Sequence, residues 1–233
     1  LGGRGSSISK NGHRFDLGPT IITVPQVFSQ LWQECGREFD KEVELRPCNP
    51  FYEIRWCDGT KFRLLPDEQD MEDEIRRLFP SDFKGYQKFL KDSAARYTFG
   101  FEGMGRKPMN KLWDLVKELP GFAFLRADRS VYAHAAKRVR DPRLRMALSF
   151  HPLFIGGDPL HVTSMYILVS HLERAFGVYY AMGGVQALAD AMGKVIEDQG
   201  GTLRLGEEVD EIITSGRQVR GVKTVSYTHL RAH

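Results

Sequence analysis

The distribution of strand-type and helix-type patterns constrains the fold of this sequence more than any other feature. Short apolar alternations at Ser7–Ser9 and His13–Phe15 predict strand structure near the start, before a turn through Gly18-Pro19. Near the end, three strands are predicted at Thr202–Leu205, Glu208–Ile213 and Gln218–Val222. Helical periodicity fills the middle. This arrangement favours one α/β domain that is interrupted by a large, mostly helical insertion.

Turn and capping residues mark several elements individually. Alternation on both sides of Asp58-Gly59 predicts a β-hairpin from Tyr52 to Leu64, and Val27–Cys35 predicts a helix that Gly36 ends. Asp67 is predicted to cap a helix through Leu78. The remaining predictions are a Ser81-capped helix through about Phe99, breaks at Pro120 and Pro142, and helices over Val162–Phe176 and Val185–Gln199.

Composition excludes several classes of protein. The 233 residues carry 33 Lys and Arg against 30 Asp and Glu, and this near balance argues against nucleic-acid binding. Three cysteines without a CxxC motif predict free thiols in a reducing compartment. His151, His161 and His171 recur every ten residues, which is not a metal-ligand spacing, so no metal site is predicted. No apolar run reaches the ~18–20 residues of a membrane span.

Both ends of the sequence are unusual. The start, LGGRGSS, lacks a Met and an apolar signal segment, so we interpret it as the interior of a longer chain. The end, Val225–His233, resembles the translated end of a transposase sequencing adapter, and we expect it to lie outside the fold.

Four short segments are candidates for ligand contact. Gly2-Gly3-Arg4 combines a backbone that a ligand can approach with a cation, and Gly18-Pro19-Thr20 places a turn beside a hydroxyl. Gly183-Gly184 precedes a predicted helix, whose N-terminus suits a phosphate or a flavin. Val209 lies in a strand whose backbone can bond an adenine edge. The alternative at each segment is an ordinary turn or strand without a ligand.

In order and spacing, these segments resemble the bacterial-type phytoene desaturase family of FAD-dependent carotenoid oxidoreductases. The strings that carry the resemblance are LGGR, GHRFDLGPTIIT, PFYEIRW, LSFHPLFIGGDP, LERAFGVYY and GGTLRLGEEVDEI. LSFHPLFIGGDP followed by LERAFGVYY is the most specific pair. The resemblance covers residues 1–224.

The resemblance implies a fold and a domain plan. The fold is a glutathione-reductase-like FAD-binding domain, of which 1–26 and 178–224 are parts, with 27–177 as an inserted, mostly helical α+β substrate domain that faces a membrane. In this family a G-x-G-x-x-G loop precedes the LGGR segment, and a flavin-contacting segment follows residue 224. We therefore expect the chain as given to be an internal piece that is inactive by itself.

The resemblance also implies roles for residues. Gly2-Gly3-Arg4 would pack beside the FAD pyrophosphate and flavin, and Gly18-Pro19-Thr20 would line the isoalloxazine. Gly183-Gly184 would lie near the flavin and the polyene, and Val209 would meet the adenine. Desaturation sends a hydride to the flavin, and a neighbouring proton needs an acceptor. Asp114, flanked by bulky apolar residues, is the candidate acid–base group; the alternative is an exposed helix carboxylate.

A lipid-soluble polyene substrate implies contact with a membrane surface, and we expect a cytoplasmic protein that is peripheral at the inner membrane. Phe122, Phe124 and Leu125 are candidates for insertion. Anionic headgroups would meet a basic cluster of Lys137, Arg138, Arg140, Arg143 and Arg145, for which the alternative is a solvated helix face.

Three other functions stay open at this point. The first is a relative of the same fold that acts on a C30 diapocarotenoid, a triterpene or a ketolase-type substrate. The second is a carotenoid isomerase, in which double bonds change geometry without net oxidation. The third is a non-catalytic truncated remnant.

Overall fold

The computed structural model describes residues 1–225 and the backbone of 230–231. Within these residues the helices are α1 (Pro25–Glu34), α2 (Glu68–Leu78), α3 (Phe83–Tyr97), α4 (Leu112–Phe124), α5 (Val131–Arg138), α6 (Pro142–Ser149), α7 (Leu168–Phe176) and α8 (Val185–Asp198). The strands are β1 (Ser7–Lys10), β2 (His13–Asp16), β3 (Leu45–Pro47), β4 (Tyr52–Arg55), β5 (Lys61–Leu64), β6 (Tyr179–Ala181), β7 (Val209–Ser215), β8 (Gln218–Thr224) and β9 (Leu230–Arg231). The sequence-based expectation of a mixed helix and strand protein is confirmed.

The chain divides into two compact units. The first unit is discontinuous and consists of Leu1–Gly18 and Val185–His233. The second unit is one continuous segment, Pro19–Gly184.

The first unit contains a hairpin, a helix and a small sheet. β1 and β2 pair antiparallel with Ser7 opposite Asp16, and the turn between them is Asn11-Gly12. Both turn residues have positive φ, 52° and 77°, as a tight two-residue hairpin requires. The sheet has the order β7-β8-β9, so β7 lies at one of its edges. β9 falls within the adapter-like Val225–His233, and the rest of that segment after Val225 lies outside the described residues.

The core of the second unit forms where the β4–β5 hairpin and helices α2, α3, α5 and α6 meet. Its fully buried side chains include Phe62, Ile75, Phe89 and Leu144. Burial of each such side chain contributes roughly 1.5–3 kcal/mol to folding. α3 is central to this unit, since it packs against both α5 and α7.

Several local predictions are confirmed. Asp67 caps α2, and its carboxylate accepts a hydrogen bond from the Asp70 N–H at 2.9 Å. The predicted hairpin around Asp58-Gly59 is present, with Tyr52 opposite Leu64. α1 ends before Gly36, which has a φ of 70°. The predicted helices near residues 164–176 and 185–198 are also present.

Three local predictions are wrong, and in each case tertiary contacts explain the difference. Ser81 does not cap α3, because Pro80–Asp82 already forms a 3₁₀ turn and α3 begins at Phe83. Pro120 does not break a helix but lies inside α4, where the next residue, Gly121, packs against the Phe99 ring. Thr202–Leu205 is not a strand, because Leu203 packs against Gly193 of α8 instead of joining the sheet.

In the described part of the chain, none of the helices is both long enough and apolar enough to cross a lipid bilayer.

Candidate functional site

The Gly2-Gly3-Arg4 segment forms an exposed turn in the first unit. Gly3–Gly5 is one turn of 3₁₀ helix, closed by a hydrogen bond from the Gly5 N–H to the Gly2 carbonyl at 2.7 Å. Gly2 and Gly3 have φ values of 91° and 50°, which residues other than glycine rarely adopt. A Cβ at Gly3 would meet nothing within 4 Å, so this backbone is open to a ligand.

Gly18 lies directly against this turn. A Cβ on Gly18 would come within 1.9 Å of the Arg4 carbonyl oxygen, so only glycine fits there. The Leu17 N–H donates to the Ser6 carbonyl at 2.9 Å and holds the two segments together. The structure therefore brings Gly18 to the Gly2-Gly3-Arg4 turn within the first unit.

The N-terminus of α8 adjoins the same turn. The Cγ1 atom of Val185 is 3.2 Å from where a Gly5 Cβ would be, and the Gln186 amide donates to the Leu1 carbonyl at 3.4 Å. The unpaired N–H groups at a helix start carry partial positive charge and favour an anion. Arg4 is exposed and directly precedes Gly5, so this part of the first unit could hold a pyrophosphate.

The remaining residues that were predicted to contact the cofactor lie outside this turn. Pro19 and Thr20 begin the second unit, and Gly183 and Gly184 end it, the latter two with φ values of 87° and 76°. Val209 begins β7 in the first unit opposite Thr224 and is 51% exposed. Because β7 is an edge strand, one side of its backbone is available to a ligand within the described residues.

Asp114 serves a structural purpose that the sequence pattern did not indicate. It is the third residue of α4, and its Oδ2 accepts a hydrogen bond from the Lys111 N–H at 3.1 Å. This is a capping contact that satisfies one free donor at the helix start. The carboxylate is half-buried, whereas its neighbours Leu112 and Trp113 are 78% and 63% exposed. Its acid–base role stays a prediction.

A buried polar cluster in the second unit was not predicted from the sequence. The Tyr52 hydroxyl donates to Oε1 of Glu173 at 2.7 Å, and Oε2 of Glu173 lies 2.9 Å from Nε2 of His151. His151 and Glu173 are each only 2% exposed. Burial, followed by the charge and hydrogen bond of Glu173, raises the pKa of Tyr52 well above its usual value. The sequence did contain a hint of this cluster, because Tyr52, His151 and Glu173 each lie in a string that carries the family resemblance. These strings are PFYEIRW, LSFHPLF and LERAFG.

A second polar network joins α3 to α5. Oδ2 of Asp92 lies 2.8 Å from Nε2 of His134 and 2.6 Å from Nε of Arg138. Burial would raise the pKa of Asp92, but the hydrogen bonds from His134 and Arg138 outweigh it and lower the pKa to about 2. This contact shows that Arg138 is engaged within the protein.

Two more members of the predicted basic cluster are also engaged internally. Arg143 pairs with Asp58 at 2.6 Å, and Arg145 donates to the Val139 carbonyl at 3.0 Å. Lys137 and Arg140 are exposed. Only part of the cluster is therefore turned to solvent.

Within residues 1–225, no group of three or more His, Cys, Asp and Glu side chains is arranged to hold a metal ion.

Known proteins resemble this chain in both sequence and fold. The family model described as "Flavin containing amine oxidoreductase" matches residues 1–231, and the chain therefore belongs to this family. FAD is the cofactor that the family implies, as the sequence predicted. A crystal structure of a protein from Pyrococcus furiosus shares the fold, with a TM-score of 0.57 and 17% identity over 99% of this chain and 48% of that one.

Individual relatives have more specific descriptions than the family model. The chain is 62% identical to a phytoene desaturase (neurosporene-forming) of Cereibacter sphaeroides, and 60% identical to the protein of the same description from Rhodobacter capsulatus. Each alignment covers 99% of this chain and 45% or 44% of the relative. A lycopene-forming phytoene desaturase of Pantoea ananas is 37% identical over 95% of this chain and 45% of its own length. The predicted resemblance is confirmed, and the chain spans about 45% of the length of these relatives.

Proposed function

We propose that this chain is part of an FAD-dependent desaturase that introduces double bonds into phytoene or a related polyene. The observation that carries the proposal is the 62% identity to a neurosporene-forming phytoene desaturase over 99% of the chain. When bound, FAD supplies the acceptor for the hydride that desaturation removes from the polyene.

The two structural units support separate roles in cofactor binding and substrate binding. We assign the discontinuous first unit to a glutathione-reductase-like FAD-binding domain, and the continuous second unit to an inserted substrate domain. A cofactor domain that is interrupted in sequence by a second compact unit fits this plan. The bounds predicted from the sequence are 1–26 and 178–224 for the cofactor domain and 27–177 for the substrate domain, whereas the two compact units divide after Gly18 and before Val185.

The residues of the first unit fit the cofactor. Gly2, Gly3 and Arg4 would bind the pyrophosphate and flavin region, since their backbone is open and the α8 N-terminus adjoins them. Gly18 holds this turn in place through its contact with the Arg4 carbonyl, and Val209 would meet the adenine through its edge-strand backbone. From the second unit, flavin contact is assigned to Pro19, Thr20, Gly183 and Gly184.

Asp114 is the residue we assign to the proton that leaves the polyene. A half-buried carboxylate that begins a helix, surrounded in sequence by apolar side chains, suits transfer beside an apolar substrate. Its capping bond from Lys111 occupies Oδ2 and fixes the orientation of the group. The polyene itself has no heteroatom to hold, so its recognition depends on apolar surface.

The apolar surface of α4 supports contact with a membrane. This helix has no buried residue, and its exposed apolar side chains are Leu112, Trp113, Leu115, Leu119 and Phe124, the last of them 86% exposed. The inward side is formed by Gly121 and Phe122, which pack on Phe99. Phe124 therefore fits insertion, whereas Phe122 is used inside the protein.

Charge around α4 suits anionic lipid. Arg106, Lys107 and Lys111 precede the helix in a fully exposed segment, and Lys117 lies on it. Of these, Lys107 also pairs with Glu118 of α4 at 3.8 Å. Basic side chains around an exposed apolar face are the pattern of interfacial helices, with about 1 kcal/mol of attraction per cation near an anionic surface. We propose a peripheral protein at the cytoplasmic face of the inner membrane.

A chimera tests the proposed function. Residues 1–224 of this chain replace the matching segment of the Cereibacter sphaeroides desaturase, and the product is expressed in a host that accumulates phytoene. Red-shifted, longer polyenes extracted from the cells would support the proposal. A purified chimera that carries flavin but leaves phytoene unchanged would refute it. Altered double-bond geometry without a longer conjugated system would favour the isomerase alternative instead.

A further inference from the structure

The buried cluster of Tyr52, His151 and Glu173 joins three separate parts of the second unit. Tyr52 comes from β4, His151 opens the 3₁₀ turn His151–Ile155, and Glu173 lies on α7. Both carboxylate oxygens of Glu173 are engaged, one by the Tyr52 hydroxyl and the other by His151 Nε2. Each carboxylate oxygen of Glu173 therefore has a hydrogen-bond partner within the cluster.

The opposite side of the cluster is incomplete. Nδ1 of His151 is buried and has no hydrogen-bond partner among the described residues, and the same holds for Oγ of Ser170. Ser170 precedes Glu173 by three positions on α7, so the two side chains lie on the same face of the helix. Two buried polar atoms without partners are unusual, because each such atom is costly to leave unpaired.

A small cavity is lined by residues of this cluster. Its volume is about 20 Å³, and His151, Ser170 and Glu173 contribute to its wall. The rest of its wall is mainly apolar and includes Phe62, Met71 and Leu148. A water molecule requires roughly 10–15 Å³ of such volume and two to four polar partners. A volume of this size suits one water molecule.

We propose that this cavity is a binding site for a single water molecule, which bridges Nδ1 of His151 and Oγ of Ser170. Because Nε2 of His151 faces Oε2 of Glu173, the proton of the neutral ring lies on Nε2 and Nδ1 is an acceptor. A water molecule can donate to Nδ1 and also bond the Ser170 hydroxyl in either of its orientations. The resulting chain runs Tyr52–Glu173–His151–water–Ser170 and closes back on α7. It fixes the His151 ring, and with it the turn whose next residues are the exposed Leu153, Phe154 and Ile155. The site is independent of the proposed function.

The direction in which one substitution changes the melting temperature distinguishes a hydrated cavity from a dry one. Ser170→Val replaces the hydroxyl by apolar volume that fills the space. In a dry cavity this removes an unpaired polar atom and improves packing, so the melting temperature rises or stays constant. In a hydrated cavity it expels the water and leaves His151 Nδ1 unpaired, so the melting temperature falls.

The measurement is thermal unfolding of the full chain, compared with Ala175→Val. Ala175 is an exposed position on α7, and its variant reports the cost of a β-branched residue in this helix. We expect Ser170→Val to lower the melting temperature by about 3 °C or more beyond that control. Ser170→Ala, which keeps the space but removes one water partner, is the conservative variant and is expected to lower it less.

A crystal structure of the chain gives the direct readout. An ordered water within about 3.2 Å of both Nδ1 of His151 and Oγ of Ser170 is the expected result. A cavity without density, a direct bond between the two side chains, or a Ser170→Val variant at least as stable as its control would overturn the proposal.

Discussion

Tyr52→Phe removes one hydroxyl from the buried cluster and leaves the aromatic ring in place. The ring of Tyr52 packs edge-on against Phe150, with centroids 5.2 Å apart, so Phe at this position keeps the same packing. What is lost is the 2.7 Å hydrogen bond to Oε1 of Glu173, a side chain that is only 2% exposed. The substitution therefore isolates a single polar contact.

The size of the effect follows from burial. An acceptor that loses its partner away from water costs about 1–3 kcal/mol. For a chain of this length, that corresponds to a fall of about 2–12 °C in the melting temperature. Exposed Tyr180 on β6 provides the control, since Tyr180→Phe removes a hydroxyl from a side chain that is 37% exposed.

The pH dependence adds a second, sharper expectation. Burial and Glu173 raise the pKa of Tyr52 above its ordinary value of 10, so the folded protein keeps this proton at a pH where the unfolded chain releases it. The stabilising contribution is complete below about pH 10 and declines above it, by about 1.4 kcal/mol per pH unit. Tyr52→Phe lacks this decline, so the difference in the free energy of unfolding between this variant and the original chain should narrow by about 1 kcal/mol between about pH 10 and 11.

Urea unfolding followed by tryptophan fluorescence measures both quantities. The free energy of unfolding is determined for the original chain, Tyr52→Phe and Tyr180→Phe, at neutral pH and in steps above about pH 10. Tyr86, whose pKa burial raises to about 12, is present in all three proteins and cancels in the comparison. A deficit for Tyr52→Phe that stays constant across this range would refute the placement of Tyr52 as a buried donor to Glu173.

Three further predictions concern the proposed function, each measured in the chimera unless stated. Asp114→Asn should cut polyene turnover strongly while the flavin content stays normal; undiminished turnover would exclude Asp114 as the acid–base group. Gly18→Ala forces a Cβ to within 1.9 Å of the Arg4 carbonyl, so we expect a loss of about 1–3 kcal/mol in stability and reduced flavin content, whereas Ser9→Ala on exposed β1 should change neither. Phe124→Ser should weaken co-sedimentation of the full chain with anionic vesicles, with Phe154→Ser as the control for an exposed Phe outside α4; equal binding by both variants and the original chain would argue against α4 as the lipid contact.

Local sequence signals predicted those elements whose ends depend on one or two neighbouring residues. Asp67 caps α2 through its own carboxylate, and Asp58-Gly59 turns the β4–β5 hairpin, because these contacts are complete within a few residues. Asn11-Gly12 is a turn of the same kind between β1 and β2, although the sequence-based prediction named only the strand structure around it.

Predictions failed where a distant part of the chain competes for a local group. Ser81 was predicted to cap α3, but Asp82 holds the position before this helix, and its carboxylate accepts the Arg140 and Asp141 N–H groups at 2.8 and 2.7 Å. Leu203 leaves the predicted strand because Gly193 of α8 offers it a packing site. In both cases the deciding partner is separated along the chain, and local pattern carries no information about it.

The candidate site also combines features that local sequence predicts with features that depend on contacts between separated parts of the chain. Residue order and type were sufficient to predict the family and the glycine segments, because Gly2-Gly3-Arg4 needs no distant contact to be recognised. The requirement for glycine at Gly18, which comes from the Arg4 carbonyl, and the meeting of Tyr52, His151 and Glu173 emerge only in the folded chain. Tyr52 and Glu173 are 121 positions apart, and hydrogen bonds and desolvation depend on distances in space, which chain order does not contain.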